Sequence, residues 1–307
     1  MAESLTRPVL QDRDLLAPQQ SELKRIVSAF LLSKIATLGA IIFALFLLIA
    51  LLAPILVPHD PALQDLKRRL APPIGLGMEK ASLEFPLGND NLGRDILSRL
   101  LVGSRVSLIV GVSTILLASS VGSLIGAMAG FYRGLLDNVV MRIVDVWMAF
   151  PSLLLAIAFG AALGPGLANL VLALSLTIWV VYCRVVRAEV LSIRERDYVL
   201  AARAMGASDL RIILRHILPN VLAPILVIST LQMGIVIISE ASLNFLGVGV
   251  QSSVPTWGGM LSDGREFMRD AWWLATFPGI AISIVVLGVN LLGDGLRDAL
   301  DPRLRRR

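Results

Sequence analysis

The sequence predicts an all-α protein that crosses a lipid bilayer six times. Of its 307 residues, 56% are hydrophobic and only 17% are charged, and the mean hydropathy is +0.76. A soluble domain normally carries about a quarter charged residues. The apolar residues are also gathered into long uncharged runs, and one spanning helix needs about 20 such residues. These observations together predict a polytopic integral membrane protein.

The uncharged runs give the individual spans. Four of them are each long enough for one span, and they cover 35–57, 106–132, 220–239 and 271–293. A fifth run is too long for one span and covers 146–183. Gly164-Pro165-Gly166 interrupts it, and since this sequence ends helices, we expect two helices joined by a tight turn. Backbone polar groups in lipid must be satisfied within their own segment, so the spans must be helical.

Lysine and arginine predict the orientation of these spans. They precede the first span, follow the last, and populate the connection between the fourth and fifth spans. Because such residues favour the cytoplasmic side, we expect both termini there. The predicted organisation is a cytoplasmic tail, a first helix, an extracytoplasmic loop, a five-helix unit and a second cytoplasmic tail, at 1–34, 35–57, 58–104, 105–296 and 297–307.

The sequence lacks the patterns of a catalytic or metal centre. Cys183 is the only cysteine, and the two histidines, His59 and His216, lie far apart. None of the four lysines ends a phosphate-binding loop of the form G-x-x-x-x-G-K-[ST]. We therefore expect a transport subunit and not an enzyme, with no metal or cofactor bound by this chain. The net charge of +5 comes from residues beside apolar runs, which meet membrane lipids, so no nucleic-acid partner is expected.

The connection 194–219 is too polar to span and too regular to be a loop. Its first part is rich in helix formers and stops at Gly206, which suits the φ > 0 position after a helix. Ser208 or Asp209 can cap a second helix, whose apolar residues recur at helical spacing at Leu210, Ile213, Leu214 and Ile217. Pro219 is expected to close the unit. This cytoplasmic bracket, residues 194–219, either contacts a partner or lies unpartnered at the membrane surface.

At this point the chain resembles one family of transport proteins. Ala201-Ala202, Gly206 and Leu218-Pro219 are similar to the signature E-A-A-x3-G-x9-I-x-L-P of ABC importer permeases. Four other segments extend the likeness, and they are FPLGNDNLGRDILSRLLVGSRVSL (85–108), DNVVMRIVDVWMAFPSLLLAI (137–157), SLNFLGVGVQSSVPTWGGMLSDGR (242–265) and LLGDGLRDALDPRLRRR (291–307). Together they resemble the C-type permease of dipeptide and oligopeptide importers, whose relatives also carry nickel and glutathione.

The resemblance implies a type I importer core at 105–296, preceded by one peripheral helix, in the bacterial inner membrane. It implies a second, B-type permease, an extracytoplasmic solute-binding protein, and two ATPase subunits that bind ATP and magnesium. The bracket would dock on the ATPase through Leu200, Ala201, Ala202, Arg203, Gly206, Asp209, Arg211 and Pro219. Leu200 replaces the glutamate of the signature and His216 its isoleucine, so the polar contacts would come from Arg203, Asp209 and Arg211.

Small residues and prolines mark two further features of the apolar runs. Gly122, Gly126 and Gly130 have the spacing that lets helices approach closely, either within the chain or against the partner permease. Three prolines interrupt helical ladders, as static kinks or gating hinges, and they are Pro151, Pro224 and Pro278.

Charged residues near the apolar runs are few. Glu240 follows the fifth run, and a carboxylate at membrane depth costs about 2.5–3.5 kcal/mol, so it should face protein or water. It either lines the solute pathway opposite an amine or is solvated at the outer interface. Arg142 and Asp145 are expected to pair with each other. An ion-coupled secondary transporter is the alternative function, but it would carry several ionisable residues inside the membrane, where Glu240 stands nearly alone.

Overall fold

The computed structural model of the chain describes residues 30–75, 82–250 and 253–300. Within these ranges the regular elements are helices, and a single bridge joins Asn89 to Asp95. Five of the helices described are long and apolar enough to span a membrane. The prediction of an all-α membrane protein is therefore confirmed. The predicted tails 1–34 and 297–307 lie mostly outside the described residues.

We number the helices in chain order. They are α1 (Lys34–Leu56), α2 (Ile96–Tyr132), α3 (Gly134–Met148), α4 (Ser152–Leu163), α5 (Leu167–Ile193), α6 (Asp197–Ala204), α7 (Asp209–Ile212), α8 (Leu218–Phe245), α9 (Trp257–Arg265) and α10 (Trp273–Leu300). A short 3-10 turn, Leu66–Arg68, lies in the loop between α1 and α2. The five candidate spans are α1, α2, α5, the run from α7 through α8, and α10.

The third predicted span is a bent pair of helices. α3 and α4 meet at 91° and together are apolar enough to count as a sixth span. Pro151 precedes the first residue of α4, where its missing N–H is not needed by the helix. The predicted turn before α5 is present, with Gly164 and Gly166 at φ of +80° and +147°. The helical pair starts earlier than the uncharged run at 146, since α3 begins at Gly134.

α2 begins at Ile96, well before the predicted start at 106. Asp95 caps it by accepting hydrogen bonds from the backbone N–H groups of Leu97 (3.2 Å) and Ser98 (3.1 Å). Asp95 thereby satisfies donors that the first turn leaves free. These first turns contain Arg99 and Arg105, so they lie outside the uncharged run 106–132.

The fifth span is continuous with the bracket. α7 passes through a π-helical segment, Ile213–Ile217, directly into α8. Pro219 has no N–H to donate to the carbonyl one turn earlier, and π turns are a known way to accommodate such an interruption. The expectation that Pro219 separates the bracket from the span is therefore wrong, because one helical rod runs from Asp209 to Phe245.

α2 and α5 pack closely along a stripe of glycines. A Cβ atom at Gly122 or Gly126 would overlap the backbone carbonyl of Trp179 or Cys183 on α5. One at Gly130 would lie 2.9 Å from the carbonyl oxygen of Arg187. The structure thus places the predicted glycine stripe in a contact within the chain, as small residues allow in a membrane.

Candidate functional site

The bracket is a helical hairpin fixed to the spanning helices by its inner face. Gly206 has φ of +79° and turns the chain from α6 into α7. Apolar side chains of both bracket helices join those of α2 and α5 in one buried cluster that includes Phe131, Val186, Val190, Val199, Ala202, Ile212, Ile213 and Ile217. The bracket is therefore coupled to the membrane helices by core packing and not by a flexible linker.

The outer face of the bracket exposes large apolar side chains. Leu200, Met205, Leu210 and Leu214 are 45%, 83%, 65% and 54% exposed. The prediction that these apolar residues share one helix face is therefore wrong. Ile213 and Ile217 point inward, whereas Leu210 and Leu214 point outward. The π-helical segment supplies the physical reason, since its wider turn shifts the spacing of residues that share a face.

The predicted docking residues divide between the two faces. Ala202 is buried, whereas the other seven are exposed, namely Leu200, Ala201, Arg203, Gly206, Asp209, Arg211 and Pro219. The guanidinium of Arg203 also lies over the ring of Phe131, 5.3 Å from its centroid. Tyr198 and His216 approach across the hairpin, with ring centroids 6.5 Å apart. Docking of these residues on a partner stays a prediction.

Glu240 lies inside the protein, between α8 and α2. Its side chain is 1% exposed. The Ser107 hydroxyl donates to its Oε2 (3.0 Å), and Nδ2 of Asn244 donates to its Oε1 (2.6 Å). The alternative that Glu240 is solvated at the outer interface is therefore wrong, because each of its carboxylate oxygens accepts a hydrogen bond from a buried side chain. Its role towards a solute amine stays a prediction.

A polar cavity of about 900 Å³ lies at the end of α2 opposite the bracket. The loop before α2, the turn before α5 and the segment between α8 and α9 meet around it. Asn244 lines the cavity and also donates a hydrogen bond to Glu240. The Glu240 carboxylate therefore lies directly behind the cavity wall. Trp257 fixes α9 on α2 by donating from Nε1 to the carbonyl of Leu100 (2.9 Å).

Two arginines and two aspartates form a network beside this cavity. Nε of Arg94 lies 2.6 Å from Oδ2 of Asp90, and Nε of Arg99 lies 3.5 Å from the same oxygen. Oδ2 of Asp263 lies 3.4 Å from Arg94 and 3.8 Å from Arg99. Burial raises the pKa of Asp263, against the opposing effect of Arg99 and Arg94.

This network was not among the sites predicted from the sequence. The segment 85–108 contributed only to the resemblance, and Asp263 lies 169 residues from Arg94. The only signal for it in the sequence was that Arg94 and Arg99 follow Asp90 within this segment. Among the described residues no group of three histidine, cysteine or acidic side chains is placed to hold a metal ion.

The predicted pair of Arg142 and Asp145 is wrong. Asp145 pairs instead with Arg184 on α5. Asp137, also on α3, pairs with Arg187 of α5 through Oδ2 and Nη2 at 2.7 Å. The bend between α3 and α4 lays α3 against α5, which brings these opposite charges together. Both pairs hold α3 in place beside the end of α5.

Comparison with known proteins places these features in a family context. The family model described as the inner membrane component of binding-protein-dependent transport systems matches residues 122–306. The N-terminal TM domain of oligopeptide transport permease C matches residues 21–73. The chain is 43% identical to the di/tripeptide transport system permease protein DppC of Pseudomonas aeruginosa (strain UCBPP-PA14), over 96% of each chain.

Two further relatives are also similar over most of their length. The chain is 45% identical to the dipeptide transport system permease protein DppC of Alkalihalophilus pseudofirmus, over 89% of this chain and 87% of that one. It is 41% identical to the glutathione transport system permease protein GsiD of Pectobacterium atrosepticum, over 98% of this chain and 96% of that one. The likeness therefore covers both the first helix and the five-helix unit.

Proposed function

Because the chain belongs to the family of inner membrane components of binding-protein-dependent transport systems, we propose that it forms half of the solute pathway of an ATP-driven importer. Members of this family are transport subunits and not enzymes. The proposed solute is a peptide or a related small molecule such as glutathione, in line with the names of the relatives. This membership leaves the ion-coupled alternative without support.

The proposed partners follow from the same membership. A B-type permease supplies the other half of the pathway, and a binding protein delivers solute from outside the cytoplasm. Two ATPase subunits bind ATP and magnesium, since this chain has no phosphate-binding loop of its own. The bracket faces the cytoplasm, the cavity faces outward, and both termini are cytoplasmic in the bacterial inner membrane.

The exposed apolar face of the bracket is the observation that carries this proposal. Leu200, Met205, Leu210 and Leu214 are neighbours in a segment too polar to lie in the hydrocarbon core. Large apolar side chains that stay exposed together mark an interaction surface. Leu200 extends this face where the signature has a carboxylate, so the contact with the ATPase is apolar at its centre. Arg203, Asp209 and Arg211 supply its polar rim.

The rod from Asp209 to Phe245 gives the bracket a direct mechanical connection to the pathway. Its first turns belong to the bracket, and its last turn carries Asn244 in the wall of the cavity. The helical run is continuous through Pro219 and Pro224, so it links movement of the bracket to the cavity wall. When the ATPases close, we expect the bracket to tilt this rod and to change access at the opposite end, as alternating access requires.

Copurification of the tagged chain in mild detergent, with mass spectrometry and an ATPase assay, tests the proposal. We expect a second permease and a phosphate-binding-loop ATPase to copurify. Met205→Glu places a charge in the apolar face and should abolish recovery of the ATPase. Met268→Glu is the matched control, since Met268 is also exposed (56%) but lies at the cavity end. Solute uptake by preparations that hold no ATPase would contradict the proposal.

A further inference from the structure

The charge network beside the cavity has one fixed carboxylate and one that is loosely held. Asp90 is fixed: besides its contact with Arg94 Nε, its Oδ1 accepts hydrogen bonds from the backbone N–H groups of Leu92 and Arg94, both at 2.9 Å. Its side chain is 6% exposed. Asp263 is 45% exposed and lies 3.4 Å or more from its guanidinium partners. Only Asp263 can leave the network without unfolding the loop around it.

The two arginines are held in place whichever carboxylate they contact. Arg99 is 5% exposed and Arg94 is 11% exposed, so both guanidinium groups are fixed by the wall that surrounds them. Their Nη2 atoms point at Asp263, which is on the cavity side of the network. Without Asp263 the two guanidinium groups share the single carboxylate of Asp90, so one poorly solvated positive charge is left uncompensated and favours another anion. Carboxylates satisfy that need best, since they match the geometry of the guanidinium group.

We infer that this cavity binds the carboxylate of a small zwitterionic solute, which takes the place of Asp263 on Arg94 and Arg99. The released Asp263 carboxylate, which is already 45% exposed, then turns to solvent. Two arginines and two aspartates leave the network neutral, so a zwitterion enters without changing the total charge. A cavity of about 900 Å³ lies in the size range of small-molecule sites. This inference rests on the proposed function and assigns the chemical class of its solute.

The neighbouring side chains support a polar solute. Oδ1 of Asn91 is buried in the cavity wall and has no hydrogen-bond partner among the described residues. A buried carbonyl oxygen without a partner is unusual, and the N–H of a peptide solute would satisfy it. Asn244 lines the same space and is already committed to Glu240 and to the N–H of Val250. The free acceptor at Asn91 and the exchangeable carboxylate at Asp263 thus belong to one site.

A purely structural network is the competing explanation. In that case the contacts of Asp263 only tie α9 to the start of α2, and every solute is affected equally when they are lost. Recognition of a carboxylate instead distinguishes solutes that differ in that group alone. The comparison of alanyl-alanine with alanyl-alaninamide therefore separates the two explanations.

Binding of both probes to the purified full-length chain, in the assembly in which it purifies, is measured by calorimetry. Asp263→Asn removes the internal competitor, so we expect alanyl-alanine to bind several-fold more tightly and the amide to be unchanged. Arg94→Gln removes one guanidinium and should weaken alanyl-alanine about tenfold, as loss of a charged hydrogen bond does. Arg68→Gln is the control, because Arg68 also pairs with acidic residues at this end but does not line the cavity.

Three results would overturn the inference. Equal shifts for the two probes would leave only the structural role. Equal binding of acetate would show a general anion site with no preference for a zwitterion. An effect that requires the solute-binding protein would assign the arginines to an acidic side chain of that protein. ATP-driven uptake of alanyl-alanine is measured in parallel: its absence while binding persists would refute the importer and not this site.

Discussion

Asn244 donates a hydrogen bond of 2.6 Å from its Nδ2 to Oε1 of Glu240, one turn earlier in the same helix. Its Oδ1 accepts from the backbone N–H of Val250 at 2.7 Å. The amide of Asn244 thereby joins a buried carboxylate to the loop that borders the cavity. Glu240 can thus influence the pathway by positioning Asn244, even where no solute reaches the carboxylate itself.

Substitution of Glu240 separates its charge from its hydrogen bonds. We expect Glu240→Gln to unfold at nearly the wild-type temperature, because the amide can still pair with Asn244 and Ser107. Glu240→Ala leaves both partners without an acceptor and should lower the free energy of unfolding by about 1–3 kcal/mol. Thermal unfolding in detergent measures the difference. If Glu240→Gln leaves uptake of every amine-bearing solute unchanged, direct contact of the carboxylate with a solute amine is excluded.

The glycine stripe between α2 and α5 gives a second prediction. Gly126→Ala places a methyl group against the backbone of Cys183, so the helices must separate, and overpacking of this kind costs about 1–3 kcal/mol. Gly279→Ala is the control, because its Cβ would have only an ordinary contact, 3.8 Å from Leu261. We expect a lower unfolding temperature for Gly126→Ala alone. Equal temperatures for the two variants would show that α2 and α5 are not in close contact.

The sequence predicts elements that depend on local patterns and misses those that depend on distant partners. Apolar runs located α1 and α10, and the φ preference of glycine located the turn at Gly206. The start of α2 was missed because a helix can extend beyond the bilayer, where charged residues such as Arg99 are allowed. The hydrogen bond between Glu240 and Ser107 was missed because the two residues lie 133 positions apart. The pairing of Arg94 with Asp263 likewise has no local signal.

The pH dependence of solute binding tests the role of Asp263. Its pKa is raised by burial, whereas the α-carboxyl of a peptide has a pKa of about 3.3–3.7. As the pH falls, Asp263 therefore becomes protonated while the solute is still ionised, and the competition for Arg94 and Arg99 ends. The other carboxylate in contact with Arg94 and Arg99 is Asp90.

We therefore expect the affinity for alanyl-alanine to rise as the pH falls from neutrality towards the pKa of Asp263. It should fall again once the solute carboxyl itself is protonated. Asp263→Asn should give tight binding at neutral pH and no further increase on acidification. Calorimetric titrations of both proteins across this pH range measure the effect. An identical rise in the Asp263→Asn variant would assign the pH dependence to a different group.

Gly206 offers a test of whether the bracket transmits motion or only adds stability. Its φ of +79° is close to the +80° of Gly164, which lies next to the cavity-lining Pro165, and a Cβ at either glycine would meet open space. Alanine at Gly206 should cost about 1–2 kcal/mol for a left-handed backbone. Gly164 has a ψ of 174°, a combination that essentially only glycine adopts, so alanine there should cost at least as much. Stability alone thus predicts at least as large a loss for Gly164→Ala as for Gly206→Ala.

Coupling predicts a difference between them, because only Gly206 sets the angle between α6 and the rod that continues into the membrane. We expect Gly206→Ala to reduce solute-stimulated ATP hydrolysis by the copurified complex, while Gly164→Ala keeps the wild-type stimulation. Thermal unfolding measures the stability of each variant. If both lose stimulation in proportion to lost stability, the bracket has no special part in transmission, and the rod from Asp209 to Phe245 serves only as a membrane span.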